Sequence, residues 1–113
     1  MVEYSIEITE RALRDIDETF DYIAYHLENP QAAYDLTDAI YSSIGDLSSM
    51  PERFPAWKRE PMKSRGVRFM GVKNFNVFYA VNKKLRRVSV FRVLYNRRNA
   101  TTYLTQTEMR RTA

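Results

Sequence analysis

The sequence predicts an α+β domain: an N-terminal strand, an antiparallel helical hairpin, a three-stranded antiparallel sheet and a short C-terminal tail. Three observations carry this. Residues 67–72, 75–81 and 87–94 are six to eight residues each, dense in Val, Phe and Tyr, and separated by turn formers. Residues 10–48 repeat their apolar side chains every three or four positions. Between these two regions lies a stretch with three prolines, Pro51, Pro55 and Pro61.

Taken in order, Tyr4 to Ile8 alternates polar and apolar residues and reads as a short strand. Thr9 is placed to cap a helix. Ala12, Leu13, Ile16, Phe20, Ile23, Ala24 and Leu27 then form one stripe of an amphipathic helix over residues 10–27. Arg11, Asp15, Asp17, Glu18 and Asp21 lie off it, and the carboxylates among them read as a solvated face. Asn29-Pro30 ends this helix and starts the next, because Asn caps well and Pro fits the first helical position. Ala33, Leu36, Ile40, Ile44 and Leu47 give a second stripe, to residue 48. A link this short predicts an antiparallel pair whose apolar faces are covered by the sheet. In the linker, Phe54 and Trp57 are expected to tuck against the core.

Lys73-Asn74 and residues 82–85 punctuate the strands. Strict alternation puts Phe75, Val77, Tyr79 and Val81 on one face of the middle strand, with Asn76, Phe78 and Ala80 on the other. In the third strand it groups Val88, Val90, Arg92 and Leu94, against Ser89, Phe91, Val93 and Tyr95.

Residues 1–113 are read as one domain, a length at which a core forms readily. No run of about 18 apolar residues exists, so no membrane span or membrane partner is expected. The N-terminus lacks the basic start and apolar segment of a secretory signal. Cysteine is absent, which excludes disulfides and thiolate metal sites and fits a cytoplasmic location. The net charge of +4 hides an asymmetry. Residues 1–57 hold three basic side chains against twelve acids, a net of −9; residues 58–113 hold fifteen against two, a net of +13. A basic half of this kind suits nucleic acid or an acidic protein segment, unless the two halves pair with each other.

Several chemistries lack their parts. The only histidine, His26, falls at a helix end, where a cation is favoured. Ser/His/Asp catalysis and a His-carboxylate metal site therefore have too few histidines. The three glycines form no phosphate loop, and no metal or cofactor is called for. What remains is Arg68, Arg92, Tyr95, Arg97, Arg98 and Tyr103. Arg can neutralise phosphate and stabilise charge on a phosphoryl group. Tyr can stack on a base or move a proton. The same set also makes a basic docking face for an acidic protein, and the residues alone favour that plainer reading.

The chain resembles the RelE/ParE superfamily of bacterial type II toxins from Tyr4 to Tyr103. ALRDIDETFDYIAYHLENPQAAYDLTDAIYSSIGDL looks like the family's helical pattern, and Met50-Pro51-x-x-Phe54-Pro55 resembles its linker. Val67-Arg68, then Val77-Phe78-Tyr79-Ala80-Val81, resembles its sheet. Val90-x-Arg92-Val93-Leu94-Tyr95-Asn96-Arg97-Arg98-Asn99 is similar to its signature. The resemblance implies a toxin silenced by a cognate antitoxin in a hetero-oligomer. It implies one of two activities: poisoning DNA gyrase, as ParE-like members do, or cleaving messenger RNA on the ribosome, as RelE-like members do. In the ribonuclease case Arg97 and Tyr103 match the catalytic spacing, and Arg68, Arg92, Tyr95 and Arg98 would bind phosphate or target. Asn76, however, stands where that branch carries an Arg, and Phe69 or Met70 where it has a second basic residue. Tyr95 stands where the ParE pattern usually has His. The signature and the missing cations favour the ParE-like branch, gyrase inhibition and a role in plasmid stabilisation. A degenerate member that only binds antitoxin is the third alternative. The antitoxin is expected to lay an acidic amphipathic segment beside the hairpin and sheet, with acids near Arg92, Arg97 and Arg98.

Overall fold

The computed structural model describes residues 3–95. β1 (Ser5–Ile8) leads through Thr9 into α1 (Glu10–Asp21). The Thr9 hydroxyl accepts from the Ala12 N–H at 3.1 Å, the predicted cap. The predicted helix to residue 27 is shorter than expected, because its last turn, Tyr22–His26, is wound as a π-helix. Wider winding rotates the following side chains off the stripe. Leu27 accordingly lies outside the helix and is exposed, as is Leu13 at the stripe's edge. α2 (Pro30–Gly45) starts as read: the Asn29 side chain accepts from the Ala32 N–H at 3.2 Å and Pro30 occupies the first turn.

The sheet holds β2 (Arg68–Val72), β3 (Phe75–Asn82) and β4 (Arg87–Tyr95), antiparallel in sequence, with the predicted boundaries to within one residue. β1 joins them at the edge, parallel to β4, giving four strands in the order β1-β4-β3-β2. The sheet is therefore mixed, not purely antiparallel.

One face of the sheet packs under the helices. Its core comprises Met70, Val72, Phe75, Val77, Tyr79, Val88, Val90 and Val93 from the strands, with Ala12, Ile16, Leu36, Ile40, Ile44 and Leu47 above. Strict alternation fails in β4. Tyr79 pairs with Val90 but Phe78 pairs with Arg92, so Phe91 is an extra residue in a β-bulge. The bulge reverses the phase of everything after it. Val93 and Tyr95 join Val88 and Val90 on the core face, and Arg92 and Leu94 move to the outer face beside Phe78 and Asn76.

Candidate target-binding face

The linker between α2 and β2 is fastened to the sheet by side chains. A turn at Pro51–Arg53 leaves its carbonyls without helical partners. The Tyr79 hydroxyl donates to the Pro51 carbonyl at 2.6 Å. Arg68 donates to the Glu52 carbonyl at 3.1 Å and the Phe54 carbonyl at 2.6 Å, and its guanidinium lies 3.7 Å from the Glu52 carboxylate. Lys83 meets the same carboxylate at 3.3 Å. Tyr79 is fully buried. Its burial pushes the phenol up to about 12, only partly offset by Arg68 and Arg53, so it holds its proton at neutral pH.

Past Phe54 the chain crosses the β2 edge. The Phe69 N–H donates to the Pro55 carbonyl at 3.1 Å and the Trp57 N–H to the Val67 carbonyl at 2.8 Å. This pairing carries Trp57 onto the outer face. There its ring meets Phe69 and Phe78 edge to face, with centroids 4.8 and 4.9 Å apart. Phe54 packs against the core as predicted, whereas Trp57 builds a second aromatic cluster on the opposite side of the sheet. Beside it opens a cleft of ≈ 530 Å³ between Trp57, Phe69 and Phe78 on one side and Asn76, Leu94 and Tyr95 on the other. Lys58 and Arg59 stand at its rim and are the charged residues that line it.

At the other edge, β1 ends opposite Val90, so β4 has no strand neighbour there from Phe91 on. Asp15 of α1 fills the gap. Its carboxylate accepts from Arg92 Nε at 2.8 Å, from Arg92 Nη2 at 3.2 Å and from the Val93 N–H at 2.9 Å. Asp15 is buried, contrary to the solvated face expected for it. The signal was available: Ala12, Asp15 and Ile16 stand at i, i+3 and i+4, the spacing of one helix face.

The predicted site residues thus separate. Arg68 holds the linker, and Arg92 is paired with Asp15. Tyr95 lines the cleft and meets Phe75 edge to face at 5.1 Å. Arg97, Arg98 and Tyr103 lie outside the described residues. His26 stacks on Tyr22 at the end of the π-turn. Three of the four ion pairs among the described residues join the acidic half to the basic half. Among the described residues no group of three or more His, Asp or Glu side chains could hold a metal ion, and no helix is long and apolar enough to cross a membrane.

A helical hairpin over one face of a small mixed sheet, with β1 closing the edge beside the last strand, is the architecture of the RelE/ParE toxin superfamily. Residues 6–100 match the model of the "ParE toxin of type II toxin-antitoxin system, parDE", and the chain belongs to that family. Among solved structures it is similar to one of the chromosomal ParDE toxin-antitoxin system of P. aeruginosa, at 19% identity and a TM-score of 0.67, over 84% of this chain and 98% of that one. It is also similar to a chain of the RelBE2 toxin-antitoxin complex of Mycobacterium tuberculosis: 22% identity, TM-score 0.60, 84% of this chain and 93% of that one. A third, from the archaeal RelE-RelB complex of Pyrococcus horikoshii, shows 17% identity and a TM-score of 0.55 over 85% of this chain and 97% of that one. No curated protein sequence matches.

Proposed function

We propose that this toxin is ParE-like: it acts in the cytoplasm by binding and inhibiting DNA gyrase, and a cognate antitoxin neutralises it in a hetero-oligomeric complex. One observation carries the reading. Two basic side chains of the described sheet that flank its outer face are held internally, Arg68 by linker carbonyls and Glu52, Arg92 by Asp15. The middle strand presents Asn76 between apolar neighbours where a ribonuclease of this superfamily would carry a cation. Phosphoryl transfer needs charge aimed at the developing anion; a mainly apolar face suits a protein target. The similar structures are described as toxin-antitoxin systems or complexes, which supports an antitoxin partner. An acid of that antitoxin directed at Arg92 has to compete with Asp15.

The test is induction of the chain alone in bacteria, with transcript 5′-end mapping and a DNA-damage reporter in the same cells, beside a supercoiling assay on purified gyrase. Inhibited supercoiling and a damage response without new transcript ends is the expected result. New ends phased with codons would instead establish a ribosome-dependent endoribonuclease, with Arg97 and Tyr103 as its catalytic pair. Normal growth with neither signal would mark a degenerate member that only binds antitoxin.

A further inference from the structure

Asn76 is only 7% exposed, and its side-chain amide makes no hydrogen bond among the described residues. No fully buried side-chain polar atom among those residues lacks a partner, so the amide still meets solvent in the cleft it lines. An occupant that displaces this solvent has to supply the amide's partners itself. A Leu here would pair as well in the strand and pack better against Phe78 and Leu94.

We propose that this cleft seats a segment of the toxin's protein target. One large apolar side chain fills the space between Trp57 and Leu94, its neighbouring peptide group pairs with the Asn76 amide, and carboxylates beside it meet Lys58 and Arg59. The assignment rests on the reading that the target is a protein. A carboxamide carries both a donor and an acceptor, as a peptide group does. The walls are mostly aromatic and aliphatic, the surroundings in which a buried anchor side chain contributes most to an interface. The charge lies only at the rim and has one sign, which selects an acidic flank and speeds encounter. A nucleic acid would find only Lys58 and Arg59 for its phosphates, because Arg68 is held by linker carbonyls and Arg92 by Asp15; titration with a nucleotide separates the two occupants.

The test uses the full chain and its Asn76→Leu, Arg59→Glu and Lys84→Glu variants. Lys84 sits on the β3–β4 turn, at the other end of the sheet from Asn76. Asn76→Leu should raise Tm by about 4 °C while weakening gyrase binding roughly tenfold. Arg59→Glu should weaken it by a similar factor, more so at low salt, and Lys84→Glu should leave it within about twofold. Separately, the acetylated and amidated peptide Phe-Glu-Glu, titrated into the isolated toxin, should shift the NMR signals of the Asn76 amide and the Trp57 indole. Adenosine monophosphate should not. If the unaltered toxin binds gyrase and Asn76→Leu and Arg59→Glu bind as well as it does, the cleft is not the docking site although the gyrase reading stands. If the unaltered toxin does not bind gyrase, that reading falls, and the peptide titration judges the cleft alone. Shifts with the nucleotide rather than the peptide, or with neither, overturn the proposal.

Discussion

The carboxylate of Asp15 receives both Nε and Nη2 of Arg92, 77 residues further along the chain, and takes the adjoining Val93 N–H as well. It ties α1 to the stretch of β4 that β1 leaves uncovered.

Removing either partner should therefore cost unequal amounts. Asp15→Ala strands a guanidinium and a backbone N–H together, and urea denaturation should show a loss of about 2–4 kcal/mol, below the full range for buried pairs because Arg92 is partly exposed. Arg92→Met should cost less, about 1–2 kcal/mol, since Asp15 keeps Val93 and has Arg11 at 3.6 Å. Equal losses would mean that the backbone contact contributes nothing.

Tyr79 sets an alkaline limit on the fold. Its folded pKa, about 12, lies above the ordinary value of 10.0, so its contribution is complete below pH 10. Above that the unfolded phenol ionises while the folded one does not, and stability falls as pH rises towards 12. Over that window denaturation midpoints should report a loss of up to about 2 kcal/mol. Tyr79→Phe should abolish this term, while losing about 1–2 kcal/mol at neutral pH for the unsatisfied Pro51 carbonyl.

Arg68→Lys should fail to replace Arg68. A single ammonium cannot hold the Glu52 and Phe54 carbonyls and the Glu52 carboxylate with the geometry of a planar guanidinium. Hydrogen exchange at the Trp57 and Phe69 amides, which hold the linker on the β2 edge, should speed up by about tenfold in both Arg68→Lys and Arg68→Gln. Protection unchanged in both would show that backbone pairing alone fastens the linker.

Met50 adopts a left-handed conformation, with φ of 50°, and is 71% exposed. Met50→Gly should relieve that strain and raise stability by about 0.5–1 kcal/mol by thermal melting. A loss would show that the Met50 side chain makes a stabilising contact that outweighs the strain.

The strands were legible because Val, Phe and Tyr at alternating positions announce a pleated surface, and the caps because Thr9 and Asn29-Pro30 state their chemistry locally. The phase of β4 was not. The extra residue Phe91 is apolar like its neighbours, and only pairing with β3 reveals that two residues oppose one. Asp15 was misplaced for a related reason: its type argued for solvent while its spacing argued for the interior. The basic residues were found, but their type says nothing about whether another side chain already holds them. Trp57 illustrates the limit most clearly. It was expected against the core; it is half-buried on the opposite face, because that placement depends on Pro55 and Trp57 pairing along β2, and it borders the cleft around Asn76.

The place of β1 has a consequence for the order of events during synthesis. Ile8 pairs with Val90, 82 positions further along the chain, and the strand it needs is the last of the four to be made. At about 5–20 residues per second, roughly 4–16 s separate the emergence of one from that of the other. Through that interval the hairpin has no complete sheet to cover, and β1 has no partner strand. The outer face, which depends on the same β3–β4 pairing, comes into being only once β4 has emerged. A partner translated beforehand would already be present at the first moment this protein can act.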